Sequence, residues 1–140
     1  MKQTREMMTV DSQRSRTMRA VKSRDTAPEM FVRRLVYAMG YRYRLHRKDL
    51  PGKPDLTFRS RRKVIFVHGC FWHGHECKRG ARVPKTHREY WETKIARNKE
   101  RDSQHNEELQ REGWGVLVVW ECQIKEAETV AEQIKCFLDG

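Results

Sequence analysis

The chain has 140 residues, 37% of them hydrophobic and 35% charged, which suits one domain with a small core and excludes a disordered or membrane-embedded chain. The formal net charge is +11, and residues 1–62 carry all of it, with 17 Lys and Arg against 6 Asp and Glu, while residues 63–140 hold 13 of each. A field of that sign and asymmetry attracts polyanions, of which phosphate-rich nucleic acid is the common one.

The opening MKQTREMMTV has no apolar signal core, so a cytoplasmic protein is expected. Residues 1–24 read as a basic arm followed by a short helix over 12–22, which sets Met18 and Val21 on one face. In DTAPEMFVRRLVYAMG, Thr26 can cap a helix over 27–39, with Pro28 in its first turn and Glu29 at the capping-box position. Phe31, Val32, Leu35, Val36 and Met39 recur at helical spacing, and Gly40 is a natural stop. YRYRLH alternates, predicting a strand over 41–46 with Tyr41, Tyr43 and Leu45 facing in. DLTFR (55–59) and KVIFVH (63–68) read as a hairpin turned at Ser60-Arg61-Arg62. A long polar helix follows over about 87–112, then the strand WGVLVVWE, read as buried, and an amphipathic helix over 127–138. The order αα-βββ-α-β-α predicts a mixed sheet flanked by helices, all in one domain spanning 1–140.

Chemistry concentrates in HGCFWHGHEC, residues 68–77, where two cysteines and three histidines surround Phe71 and Trp72. Cys70, His75 and Cys77 form C-x4-H-x-C, and Cys122 follows the last strand. Three thiolates and one imidazole make a closed tetrahedral Zn²⁺ site of the structural type; the alternative is that Cys122 is an ordinary buried thiol, as Cys136 is expected to be. Asp55 begins one hairpin strand and His68 ends its partner, which sets them side by side. Asp55 can hold Mg²⁺ through oxygen, although an aspartate after Pro54 also suits a plain turn.

Taken together, TMRAVKSRDTAPE, LPGKPD, VIFVHGCFWHGHEC, EYWETKIARNKERD and GWGVLVVWEC closely resemble the very-short-patch-repair DNA mismatch endonucleases, over residues 14 to 122. The resemblance implies an α/β fold of the restriction-endonuclease-like superfamily. It also implies an Mg²⁺-dependent nick 5′ to the thymine of a T:G mismatch left by deamination of 5-methylcytosine, with 3′-hydroxyl and 5′-phosphate ends. By this resemblance Asp55 holds the metal, together with the backbone carbonyl of Val67. His73 is the general base or a phosphate contact, and His68 and Glu29 complete the catalytic set. A histidine base fits, because free imidazole titrates near neutral pH. The same four residues, Cys70, His75, Cys77 and Cys122, bind the zinc. Phe71, Trp72 and Trp91 intercalate near the mismatch, while Met18 and Val21 approach from the other groove. Arg14, Arg16, Arg19, Lys22 and Arg24 grip phosphates rather than read bases. A bacterial-type, nucleoid-associated enzyme on double-stranded DNA carrying a T:G mismatch is implied, with mismatch-repair proteins as candidate partners, and a monomer is expected because the sequence offers no extra apolar face.

The sequence departs from the family in three ways, one being a spacing from Cys77 to Trp91 about one residue longer than the family pattern. The acid-x-Lys pair of the wider superfamily is missing from the strand ending Phe66-Val67-His68, and Val67 stands where the family often has Thr. Two other readings compete: a restriction-like or mobile-element endonuclease cutting matched DNA, and a zinc-stabilised DNA-binding module without catalysis.

Overall fold

The computed structural model describes residues 26–77 and 83–140. The basic arm and helix expected over 1–24, with Arg14, Arg16, Met18, Arg19, Val21, Lys22 and Arg24, lie outside the described residues.

Helix α1 spans Ala27–Ala38. It starts where the sequence demands: the Thr26 hydroxyl accepts the Glu29 N–H at 3.3 Å, and Pro28 occupies the first turn, where no N–H is needed. Val32 and Val36, one turn apart, are fully buried. The strands are β1 (Arg44–Leu45), β2 (Leu56–Phe58), β3 (Lys63–His68) and β4 (Gly115–Trp120), lying in that order in one sheet. The first two pairings are antiparallel, and β4 runs parallel to β3 from Lys63↔Gly115 to His68↔Trp120. A parallel neighbour needs a long return. The 24-residue helix α2 (Arg88–Arg111) supplies it, and α3 (Ala127–Asp139) closes the chain. The result is the expected α/β architecture, a mixed sheet with helices on both faces.

Two apolar clusters hold the layers. Val32 and Val36 of α1 meet Leu56, Phe58, Ile65 and Val119 of the sheet and Val130, Ile134 and Leu138 of α3. On the other face, Leu109 of α2 packs with Val64 and Phe66. Alternation along β3 sends Ile65 and Val67 one way and Val64, Phe66 and His68 the other. Lys63 fastens β3 to the end of α3, its Nζ donating to the carbonyls of Phe137 at 2.6 Å and Gly140 at 2.9 Å. That satisfies carbonyls a helix end leaves open. Among the described residues, no helix is long and apolar enough to cross a membrane.

Three expectations are corrected. The strand at 41–46 shrinks to two residues, because only Arg44 and Leu45 pair with β2, at Thr57 and Leu56. Tyr41 and Tyr43 do pack on the core, their hydroxyls donating to Asp139 and to the Arg33 carbonyl, but Leu45 is 37% exposed at the sheet edge. Strand β4 is only partly buried, with Val119 alone fully so, because it too forms an edge. Cys136 is exposed rather than buried: the core positions of α3 fall at 130, 134 and 138, which turns 136 outward.

Candidate active site and metal centre

The loop leaving β3 is a chain of tight turns. The N–H groups of His73, Gly74 and His75 donate to the carbonyls of Gly69, Phe71 and Cys70. Gly74 has φ +65°, and a Cβ there would lie 2.6 Å from Lys99 and 2.7 Å from Ile95, so only glycine lets the loop touch α2. Asn98 of α2 donates to the Trp72 carbonyl at 2.8 Å and ties the loop from the other side.

This folding gathers Cys70, His75, Cys77 and Cys122, with one donor atom from each lying within 4.8 Å of all the others. Ligands around tetrahedral Zn²⁺ sit about 3.8 Å apart when bonds are about 2.3 Å, so the donor set fits that ion. Nδ1 is the His75 donor, 3.6 Å from the Cys122 sulfur, and the ring stacks on Trp120 at 4.1 Å. Burial pushes the Cys70 thiol up to about 12, with the neighbouring Cys77 and Cys122 adding to the shift. A divalent cation reverses that preference outright.

His68 and His73 stack face to face, ring centres 3.7 Å apart. His73 Nδ1 lies 2.5 Å from the Asp102 carboxylate. An ionised carboxylate only accepts, so Nδ1 carries the proton and Nε2 is left as the acceptor. Against the opposing pull of burial, the His73 hydrogen bond holds the Asp102 carboxyl below its usual range. Burial, reinforced by His73, pushes His68 down to about 3, which keeps it neutral. His68 Nδ1 is buried and has no protein partner among the described residues. A cleft of about 470 Å³ opens beside this pair, lined by Lys99, Asp102, His105 and Trp120 among others.

Asp55 belongs to a second group, with Glu29 and His46, whose ligand atoms also lie within 4.8 Å of one another. Its carboxylate accepts the Val67 N–H at 2.6 Å. The N–H and C=O of one strand residue leave by the same edge, so the Val67 carbonyl leaves β3 on the β2 side, as its N–H does. Burial pushes the Asp55 carboxyl up to about 7, and Glu29 beside it adds to the shift. Glu29 is 1% exposed and receives His46 Nε2 at 2.7 Å, with Arg33 at 3.6 Å. A buried carboxylate, a partly buried one and a strand carbonyl suit a hard cation, so the residues fit Mg²⁺.

The expected pairing of Asp55 with His68 is therefore modified. The register Leu56↔Ile65 continues to Asp55 opposite Phe66, from where its carboxylate reaches the Val67 N–H, and His68 turns toward α2 and His73. The two clusters flank the end of β3, one reached from Val67 and the other from His68. Phe71, Trp72 and Trp91 do come together, with ring centres 5.2 to 6.0 Å apart. Phe71 and Trp72 are half-buried, while Trp91 is only 4% exposed and backs them. Trp120, read from sequence as core, instead touches both His75 and His68.

Sequence reasoning missed Asp102 and His46. Asp102 had a signal: Trp91, Ile95, Asn98, Asp102, His105 and Leu109 share one face of α2, where polar residues interrupt an apolar stripe. His46 ends an alternating run, and nothing in its neighbours marks it.

Comparison with known proteins matches residues 7–79 to the family model described as DNA mismatch endonuclease Vsr. The chain is 49% identical to a type II nicking enzyme of Xanthomonas oryzae pv. oryzae, over 87% of this chain and 89% of that protein. It is 41% identical to a type II nicking enzyme of Neisseria meningitidis, over 88% and 87% of the two chains. Against the DNA mismatch endonuclease Vsr of Escherichia coli (strain K12), identity is 43%, over 86% and 76%.

Proposed function

Because the chain belongs to the Vsr family of DNA mismatch endonucleases and is a DNA endonuclease, we propose that it nicks one strand of a duplex 5′ to the thymine of a T:G mismatch, using Mg²⁺. The observation that supports this reading is a pair of clusters flanking the end of β3, Asp55 with Glu29 beside Val67 and His73 with Asp102 beside His68.

Asp55, Glu29 and the Val67 carbonyl hold the cation in this reading. Held by these groups, Mg²⁺ would supply charge neutralisation at the scissile phosphate and a more acidic water. Asp102 fixes the His73 tautomer and orients the ring, as the carboxylate does in acyl-transfer triads. His73 Nε2 takes the proton from the attacking water, whose oxygen forms a bond to phosphorus. The bond to the 3′ oxygen breaks, that oxygen takes a proton, and a 3′-hydroxyl and a 5′-phosphate remain. Neutral His68, stacked on His73, limits the ring to one orientation and offers Nδ1 to a phosphate-side water. The zinc ligands Cys70, His75, Cys77 and Cys122 keep the loop in register with α2.

Phe71 and Trp72, supported by Trp91, wedge between base steps, and unstacking costs least at a mismatch. The basic residues from Arg14 to Arg24, with Met18 and Val21, engage the backbone and the opposite groove. Replacing Trp72 with Ala should weaken binding to T:G duplexes about tenfold, the scale of one lost stacking contact. Gel-shift titration checks this, with thermal unfolding as the folding control; unchanged affinity refutes the wedge.

Cleavage of labelled duplexes carrying T:G, C:G or T:A at one position tests the substrate. The thymine strand of the T:G duplex alone should be cut. Equal cutting of matched duplexes would assign the chain to the restriction-like alternative.

A further inference from the structure

His46 lies outside the residues that the mechanism uses, yet it sits against two of them. Its Nε2 is 2.7 Å from the buried Glu29 carboxylate, and its ligand atom lies within 4.8 Å of those of both Glu29 and Asp55. Its backbone is held in the left-handed region, φ +48°, a conformation most side chains avoid. Its N–H donates to the Asp55 carbonyl at 3.3 Å, so β1 and β2 clamp the residue next to the aspartate. The side chain is only 15% exposed. Backbone strain, burial and a nitrogen aimed at a carboxylate pair all converge on one point, which is how a ligand is set rather than how a surface histidine falls.

We propose that His46 is a nitrogen ligand of the cation held by Asp55 and Glu29, so that the site is a mixed nitrogen–oxygen site rather than an all-oxygen one. This rests on the cation site assigned above. Mg²⁺ favours oxygen, whereas imidazole favours first-row transition ions. The His46 donor therefore lets the site take ions such as Mn²⁺ more tightly than two carboxylates and a carbonyl alone would. When the ion enters, the Glu29 carboxylate would exchange its hydrogen bond to His46 for a bond to the cation while keeping its ion pair with Arg33.

The test uses the full zinc-loaded chain with Mn²⁺ as the probe. Electron spin-echo modulation of bound Mn²⁺ reports a directly coordinated imidazole nitrogen, and titration gives affinity. Wild type should show nitrogen modulation. The variants His46→Gln and His46→Asn should lose it; Asn is included because it accepts left-handed backbone. Their Mn²⁺ affinity should fall about tenfold, with a smaller loss for Mg²⁺. Circular dichroism confirms that both variants fold.

No nitrogen modulation in wild type with Mn²⁺ bound, or modulation that survives both His46 variants, overturns the proposal. Modulation lost in His73→Gln instead places the ion at the other cluster and overturns it as well. Mn²⁺ binding unchanged in Asp55→Ala removes the whole cation site, and with it both this proposal and the metal assignment above. Loss of binding in Asp55→Ala with modulation retained in the His46 variants sinks the His46 ligand alone.

Discussion

Replacing Asp55 with Ala lowers the single-turnover nicking rate by about a thousandfold or more. That is roughly 4 kcal/mol of transition-state stabilisation, within what a correctly held cation supplies. The carboxylate is fixed by the Val67 N–H at 2.6 Å and sits against Glu29, so no neighbour can swing in to replace it. The loss is not one of folding. Burial pushes the Asp55 carboxyl up to about 7 from 3.8. A raised carboxyl binds its proton more tightly in the folded state, so without metal the wild type loses stability as pH rises from about 4 to about 7. Asp55→Ala lacks that term and should show a flatter profile over the same window. Mg²⁺ should raise the unfolding temperature of wild type and leave the variant unmoved, because only a folded site that binds the ion gains from it. Nicking within tenfold of wild type would refute the assignment.

Substitution of Cys70 by Ser has the second large effect. Cys70 is the fully buried member of the cluster with His75, Cys77 and Cys122. Structural zinc contributes of the order of 10 kcal/mol to small folded units, comparable with a whole domain's stability. Elemental analysis of wild type should give about one zinc per chain, and of Cys70→Ser almost none. Without the ion, the turns from Gly69 to Cys77 lose their anchor to Cys122, and with them the positions of Phe71, Trp72 and His73. Unfolding temperature and nicking should both collapse, and a strong chelator should reproduce this in wild type. A zinc-free wild type that is stable and active would contradict the account.

The elements with strong local chemistry were legible in the sequence. Thr26, Pro28 and the Val32/Val36 spacing announced α1, and the β-branched runs announced β3 and β4. The grouping of Cys70, His75, Cys77 and Cys122 was legible too, since thiols and an imidazole around one loop have few other uses in a single domain. What stayed hidden depended on tertiary placement. YRYRLH alternates well enough for six residues of strand, but pairing ended with the partner β2 after two. Whether Asp55 would face His68 or Glu29 rested on where β2 begins: Asp55 lies just before Leu56, outside the strand's alternation, and is grouped with Glu29. Asp102 lies in a charged helix, where a carboxylate among many draws no notice until its face is known. His46 reaches Glu29 across 17 residues of sequence, and no periodicity records such a contact. Cys136 was misjudged because the phase of α3 on the core is set by Val130, Ile134 and Leu138 together.

The most direct test of the account is the position and chemistry of the break. End-labelled T:G duplex is treated with wild type and with Asp55→Ala, with and without Mg²⁺, and the products are mapped at nucleotide resolution. The account predicts one nick, immediately 5′ to the mismatched thymine, with 3′-hydroxyl and 5′-phosphate ends, present only for wild type with Mg²⁺. Breaks in both strands, a 3′-phosphate end, or a nick that persists in Asp55→Ala would contradict it.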